Sequence, residues 1–341
     1  MPSHNFEPLA GRLATIRVDS DALKRNTLGD PHVRSVAVYL PHDAPSEGVP
    51  LLVDLTGYTG SGLKHIAWSA FGESVPQRVE RLRREGRLGP VAVAFPDCFT
   101  SLGGNQYVDN PVLGDWERFL LDDMLPQLER ELPLRPGPEH RAVFGKSSGG
   151  YGAYVQAFRH GDRWAGAASL SGDVGFELLF GGDFPKVLTA LRAFGGPAEF
   201  IEGFHASPKI RGEHFHTLLV LAMAATYDPA PDQPFGVRLP VDPRTCERIP
   251  ERWANWIACD PLTWVEDAEM RASATALRAF WIDCGAQDQY HLAYGTRRMH
   301  DALVRHGVEH RYEEFDDDHS GIDYRMDVAL PWLYERLWSA R

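Results

Sequence analysis

The chain has only four cysteines in 341 residues, Cys98, Cys246, Cys259 and Cys284. They show neither Cys-x-x-Cys spacing nor the density of a disulfide scaffold, so reduced structural thiols are expected, and Cys246–Cys259 is the one pairing to check. A basic excess is also missing: Lys and Arg total 35 against 47 Asp and Glu, for a net charge of −12. That balance repels nucleic-acid phosphates and anionic membrane surfaces and leaves neutral or cationic small molecules as the easier ligands. No apolar run approaches membrane-spanning length, and Met1-Pro-Ser-His-Asn-Phe-Glu-Pro8 lacks the basic start and apolar core of a signal peptide, so a cytoplasmic location is expected. Internal repeats and low-complexity tracts are absent, and a homodimer stays open.

What is present is an ordinary globular composition, 43% hydrophobic and 24% charged. The length exceeds what one α/β sheet with its helices usually needs, which implies two domains or one domain with a sizeable insertion. Arg12–Val18, Val33–Leu40, Leu51–Leu55, Val91–Phe95, Ala142–Phe144, Ala165–Leu170, Phe280–Cys284 and His310–Phe315 read as strands, being short, apolar or alternating, and bounded by Gly, Pro and Asp. Helical patterns over Gly62–Glu85, Trp116–Glu131, Tyr151–His160, Tyr290–His306 and Arg325–Trp338 separate most of them, which predicts a mostly parallel sheet covered on both faces, with an antiparallel start. Between the sixth and seventh strands roughly a hundred residues break the rhythm. They carry an apolar helix candidate at His216–Tyr227 and a Pro-rich stretch, and the expected organisation is a core over 1–172 and 266–341 with a lid over 173–265.

The chemistry concentrates in Arg141-Ala-Val-Phe-Gly-Lys-Ser-Ser-Gly-Gly-Tyr-Gly152, a short apolar run that breaks into Gly-x-Ser-x-Gly and continues into helix formers. A serine at a sharp strand-to-helix turn needs small residues two before and two after, and Gly145 and Gly149 meet that need for Ser147. Shifting the register to Ser148 would put Lys146 at the first small position. A glycine-rich loop that binds phosphate is the alternative reading. Nucleophilic serine also needs a base, an acid to orient it, and two N–H groups for the oxyanion. Asp288, on the glycine turn after Phe280–Cys284, is the candidate acid, with Asp283 as competitor inside the strand. His319, behind the last strand, is the candidate base, with His291, His300 and His306 on the preceding helical pattern. Asp316, Asp317 and Asp318 place negative charge beside His319 and are expected to raise its pKa. The turn after Leu51–Leu55 supplies the backbone N–H of Tyr58, which with the N–H of Ser148 would form the oxyanion hole, and Gly57 as a candidate to contact substrate.

His214-Phe-His216 would share a face, and so suit a metal, only in a strand; no metal is assigned. Trp253, Trp256 and Trp264 read as core of the insertion or as an aromatic platform. Tyr107, Trp116 and Asp173 are candidates for the border of the pocket.

Asn26–Arg34 with Val38-Tyr-Leu-Pro41, Pro96–Tyr107 with Asp115-Trp-Glu-Arg-Phe119, Gly145–Gly152 and Gly285-Ala-Gln-Asp288 together resemble the putative-esterase family of the α/β-hydrolase superfamily, which includes enterochelin-esterase-like, S-formylglutathione-hydrolase-like and antigen-85-like proteins. The resemblance implies an α/β-hydrolase fold and a Ser147–His319–Asp288 triad. It further implies ester hydrolysis through an acyl-enzyme, without metal or organic cofactor, and the acidic charge balance makes a small neutral ester the expected substrate. Acyl transfer to a sugar or alcohol, and a non-catalytic binding role, are the alternatives. The sequence departs from the family at Lys146, where histidine is frequent, at Thr56, where His or Asp often precedes the glycine, and at His319, which follows aspartates instead of a glycine pair.

Overall fold

The computed structural model of the protein describes residues 6–339. Eight strands form one sheet: β1 (Arg12–Asp19), β2 (Val33–Leu40), β3 (Leu51–Leu55), β4 (Ala92–Pro96), β5 (Arg141–Lys146), β6 (Gly166–Leu170), β7 (Ala279–Gly285) and β8 (Arg311–Phe315). Their spatial order is β1-β2-β4-β3-β5-β6-β7-β8, with β1, β2 and β4 mutually antiparallel where they pair and every later pairing parallel. β1, β2 and β3 are joined without a helix, and from β3 onward each strand is followed by helical material, as parallel crossovers require.

β3, β5 and β6 are buried on both faces, so they read as continuous apolar runs without alternation. Leu51, Val53 and Leu55 pack into one core and Leu52 into the other. The second core is closed by α2 (Val75–Arg84) and by Leu330 and Leu333 on the C-terminal helix Met326–Trp338. The single helix expected over Gly62–Glu85 is two: α1 (Gly62–Ile66) and α2. Ser74 and Gln77 form a reciprocal capping box and Pro76 occupies the first turn, so α2 nucleates afresh at Ser74 and residues 67–74 lie between the helices. The first core receives α3 (116–131, with a π-helical stretch over Phe119–Met124) and α4 (Ser148–His160).

Between β6 and β7 the chain forms α5 (Phe176–Leu179), α6 (Phe184–Phe194), α7 (Pro197–Ala206), α8 (Gly212–Tyr227), α9 (Pro250–Ala258), α10 (Pro261–Trp264) and α11 (Ala268–Thr275). This insertion shares its core with the sheet. Phe176 and Tyr227 have ring centroids 4.8 Å apart, Trp256 lies 5.4 Å from Tyr227, and Tyr151 of α4 lies 5.6 Å from Trp264. Trp253, Trp256 and Trp264 are thus interior packing residues. Asp260 ties both ends of the insertion, accepting from Phe176 N at 2.7 Å and Leu262 N at 3.0 Å. All four cysteines are free, and Cys246 and Cys259 are not bridged. Among the described residues no helix is long and apolar enough to cross a membrane.

Candidate active site

β5 ends at Lys146 and α4 begins at Ser148, leaving Ser147 on the turn with φ 57° and ψ −126°. A non-glycine residue there is strained by about 1–3 kcal/mol and persists only when its surroundings over-determine it. Ser147 N donates to Leu170 O at 3.0 Å and Tyr151 N to Ser147 O at 2.9 Å, which fixes the turn from both sides. A Cβ at Gly145 would overlap the carbonyl of Gly149, and one at Gly149 would overlap Leu55 O. The two glycines let helix, β5 and β3 approach within contact of each other's backbone.

Asp288 follows β7 and His319 follows β8, and the structure brings them together: His319 Nδ1 lies 2.7 Å from Asp288 Oδ2. The second carboxylate oxygen accepts from Tyr290 N at 2.9 Å, so the acid is held at both atoms. With Nδ1 engaged by the carboxylate, the ring presents Nε2 outward. The two loops are cross-linked by Ala286 N to Phe315 O at 2.8 Å, Gln287 N to Asp317 O at 3.0 Å and His319 N to Gln289 Oε1 at 2.9 Å. Gly285 allows this, because a Cβ there would run into the carbonyls of Asp317 and Asp318. The aspartate run serves the loop itself: Asp316 accepts from Gln287 Nε2 at 2.7 Å, Asp317 from Tyr324 OH at 3.0 Å and Asp318 from Ser320 N at 2.6 Å. Asp283 is engaged elsewhere, accepting from Arg325 Nε at 3.0 Å and Trp281 Nε1 at 3.1 Å, while burial pushes its pKa up to about 6.

Ser147 and His319 line one cavity of about 760 Å³, which Gly57, Tyr58 and Ser148 also border. A Cβ added at Gly57 would sit 3.6 Å from Ser147 Cβ, so the turn after β3 closes directly over the serine. The Tyr58 phenol is turned away from the cavity and donates to Leu102 O at 2.6 Å, anchoring that turn. Phe180, Phe215 and His216 bring the insertion to the same cavity, and Trp68, 71% exposed, stands at its edge.

Two pocket candidates lie elsewhere. Tyr107 is buried beneath the turn, donating to Thr56 O at 2.6 Å. Trp116 is fully buried, its Nε1 donating to Leu113 O at 3.0 Å and its ring covered by the Arg34 guanidinium at 5.0 Å. Large aromatics near the site in sequence were drawn into the first core because they bury more apolar area there. His214 and His216 sit on helix α8, where residues two apart face different ways. His214 packs on Phe200 with centroids 5.6 Å apart, and His216 Nε2 lies 2.8 Å from Asp183 Oδ2.

Asp173 does line the cavity. Its Oδ2 accepts from Gln106 Nε2 at 2.8 Å and from Ser148 Oγ at 3.4 Å, and Gln106 also donates to Tyr227 OH at 2.8 Å. Burial raises its pKa to about 6 against the Gln106 hydrogen bond and the pull of His319; the charge of Asp288 adds to the rise. The folded state therefore keeps a proton that the unfolded chain releases near pH 3.8, and stability contributed by this group falls as pH rises through that window. Between about pH 4.5 and pH 7.5 the wild type should lose about 2 kcal/mol relative to Asp173→Asn. Chemical denaturation of both proteins at the two pH values checks this; a constant difference would remove the buried-acid account.

Sequence reasoning missed His65 on α1 and Asp54 on β3, whose Nδ1 and Oδ2 lie 2.6 Å apart at the cavity wall. The available signal was an acid inside the apolar run Leu51-Leu-Val-Asp-Leu55, which needs a partner wherever the strand is buried.

A family model described as Putative esterase matches residues 30–329. Among solved structures, the chain is similar to a ferulic acid esterase at TM-score 0.61 and 18% identity, covering 95% of this chain and 97% of the other. An S-formylglutathione hydrolase from Agrobacterium tumefaciens gives TM-score 0.59 and 17% identity, with 98% of each chain covered. MPT51 from Mycobacterium tuberculosis gives 0.53 and 15%, covering 96% and 99%. These likenesses carry the α/β-hydrolase fold. No curated protein matches the chain.

Proposed function

The chain belongs to the putative esterase family and is a carboxylic ester hydrolase, and from that premise we propose that it acts as a serine esterase through an acyl-enzyme, with Ser147 as nucleophile, His319 as base and Asp288 as the acid that orients it. The observation that carries this reading is the 2.7 Å contact between His319 Nδ1 and Asp288 Oδ2 at the wall of the cavity that Ser147 also lines.

With Nδ1–H held by the carboxylate, Nε2 is the basic nitrogen, and it takes the Ser147 proton as Oγ attacks the ester carbonyl. The carboxylate stabilises the imidazolium that results. The developing oxyanion is met by the N–H of Ser148, whose place is fixed by the elbow, and by the N–H of Tyr58, whose turn is pinned below by Tyr107 and Leu102. His319 then protonates the leaving alcohol, and water repeats the cycle on the acyl-enzyme. The insertion over 173–265 serves as the cap of this site, since Phe180, Phe215 and His216 bring apolar and polar surface to the cavity opposite the sheet. A cavity of about 760 Å³ takes an acyl and an alcohol group of small-molecule size.

A fluorophosphonate tests the nucleophile directly. One equivalent should abolish p-nitrophenyl ester hydrolysis and add its mass to the peptide containing Ser147. Inactivation with the adduct on another residue, or full activity after modification of Ser147, would overturn the assignment.

A further inference from the structure

Asp54 is the charged member of an otherwise apolar strand and is 1% exposed. Its Oδ2 is held by His65 Nδ1 at 2.6 Å and its Oδ1 has no hydrogen-bond partner. A buried carboxylate in that state costs several kcal/mol unless its neighbour carries the counter-charge. Burial alone opposes an imidazolium at His65, but the charge of Asp54 and the hydrogen bond to it, with Asp323 adding, raise its pKa above the ordinary value. Nδ1 is committed to Asp54, so Nε2 is the remaining polar atom of a ring that lines the same cavity as Ser147.

The charges around this ring are unequal. Lys64 and Lys146 line the cavity with His65, and Lys146 Nζ lies 3.5 Å from Asp323 Oδ1. Glu73 also borders it, but Arg81 takes both of its oxygens, with Nε at 2.8 and 3.1 Å. Asp54 is met by His65 and Glu73 by Arg81, so on this wall of the cavity Lys64 and Lys146 face one further carboxylate, Asp323. The two other carboxylates of the cavity, Asp173 and Asp183, follow β6, where Asp173 accepts from Gln106 and Asp183 lies beside His216.

We infer that His65, Lys64 and Lys146 form an anion subsite, and that the ester taken by Ser147 carries a free carboxylate lying against His65 Nε2–H. A carboxylate would accept the hydrogen bond from Nε2–H and lie against the two ammonium groups. The subsite is a local exception to a chain of net charge −12, because within a cavity the nearest charges outweigh the distant, screened ones. The inference deepens the serine-esterase reading and rests on it.

The test compares matched esters: p-nitrophenyl butyrate with mono-p-nitrophenyl succinate for a carboxylate on the acyl side, and phenyl acetate with 4-acetoxybenzoate for one on the leaving group. Wild type should favour the acidic member of at least one pair by roughly tenfold in kcat/KM. His65→Asn should cut that preferred reaction by roughly tenfold to a hundredfold and the neutral partner by less than about threefold. Lys146→Gln, which leaves the Asp54–His65 pair in place, should lower the acidic reaction selectively in the same direction and keeps the test open if His65→Asn fails to fold. Absence of any wild-type preference overturns the subsite. Equal loss on both members in both variants also overturns it, and would make the Asp54–His65 pair only a clasp closing the turn between residues 54 and 65. Retention of all four activities by Ser147→Ala would instead sink the nucleophile assignment.

Discussion

Ser147→Ala should lower kcat on every ester by about 10⁴-fold or more, with a melting temperature close to that of the wild type. The alanine keeps its Cβ, so the φ of 57° and its strain are unchanged, and the hydrogen bonds that fix the turn are made by backbone atoms that the substitution leaves in place. What disappears is the one atom that attacks. His319 and Asp288 would remain paired with nothing to deprotonate, and the residual rate would come from binding and the oxyanion donors alone. Stopped-flow or discontinuous assay of p-nitrophenyl esters, run beside a thermal melt, separates the two quantities. Activity above about one per cent of wild type in a folded variant would mean that another group performs the attack.

Gly149→Ala should damage both stability and activity, and by a different route. A Cβ at this position overlaps Leu55 O and comes within 3.0 Å of Thr56 O, both backbone atoms at the end of β3. Backbone cannot swing aside as a flexible side chain can, so α4 must move away from the sheet or β3 must give up its register with β5. Overpacking of this kind costs about 3 kcal/mol or more, which in a chain of this size lowers Tm by roughly 5–10 °C. The same displacement moves the turn carrying Gly57 and Tyr58, so kcat should fall at least about a hundredfold even where the protein stays folded. Gly182→Ala provides the contrast, since nothing lies within 4 Å of a Cβ there, and should leave melting and turnover nearly unchanged. Equal tolerance of both substitutions would show that the elbow does not need its close approach.

The strands were legible because a buried parallel sheet writes itself as short apolar runs separated by turn residues, and the elbow because its geometry allows so few residue types. The order Ser147, Asp288, His319 was legible because each residue sits on the loop after its own strand, so a local pattern reports a long-range meeting. What escaped depended on contacts between distant segments. Helicity between Gly62 and Glu85 looked continuous in periodicity, yet the capping box at Ser74 starts a new helix. Tyr107 and Trp116 stand beside site motifs in the sequence, but their side chains turn into the core. The donors that engage the aspartates before His319, namely Gln287, Tyr324 and Ser320, belong to turns whose approach no composition announces. Asp54 and His65 are eleven positions apart and meet only because α1 folds back over the end of β3.

The hydrogen bonds that stitch the loop after β7 to the loop after β8 tie His319 and Asp288 into one unit. Ser147 belongs to another, the β5–α4 turn, whose strand is separated from β7 by β6. A displacement of these loops as a unit would keep imidazole and carboxylate paired while changing their distance to Ser147. The separation of these two units, each held by its own hydrogen bonds, is the coordinate on which the proposed reaction would depend.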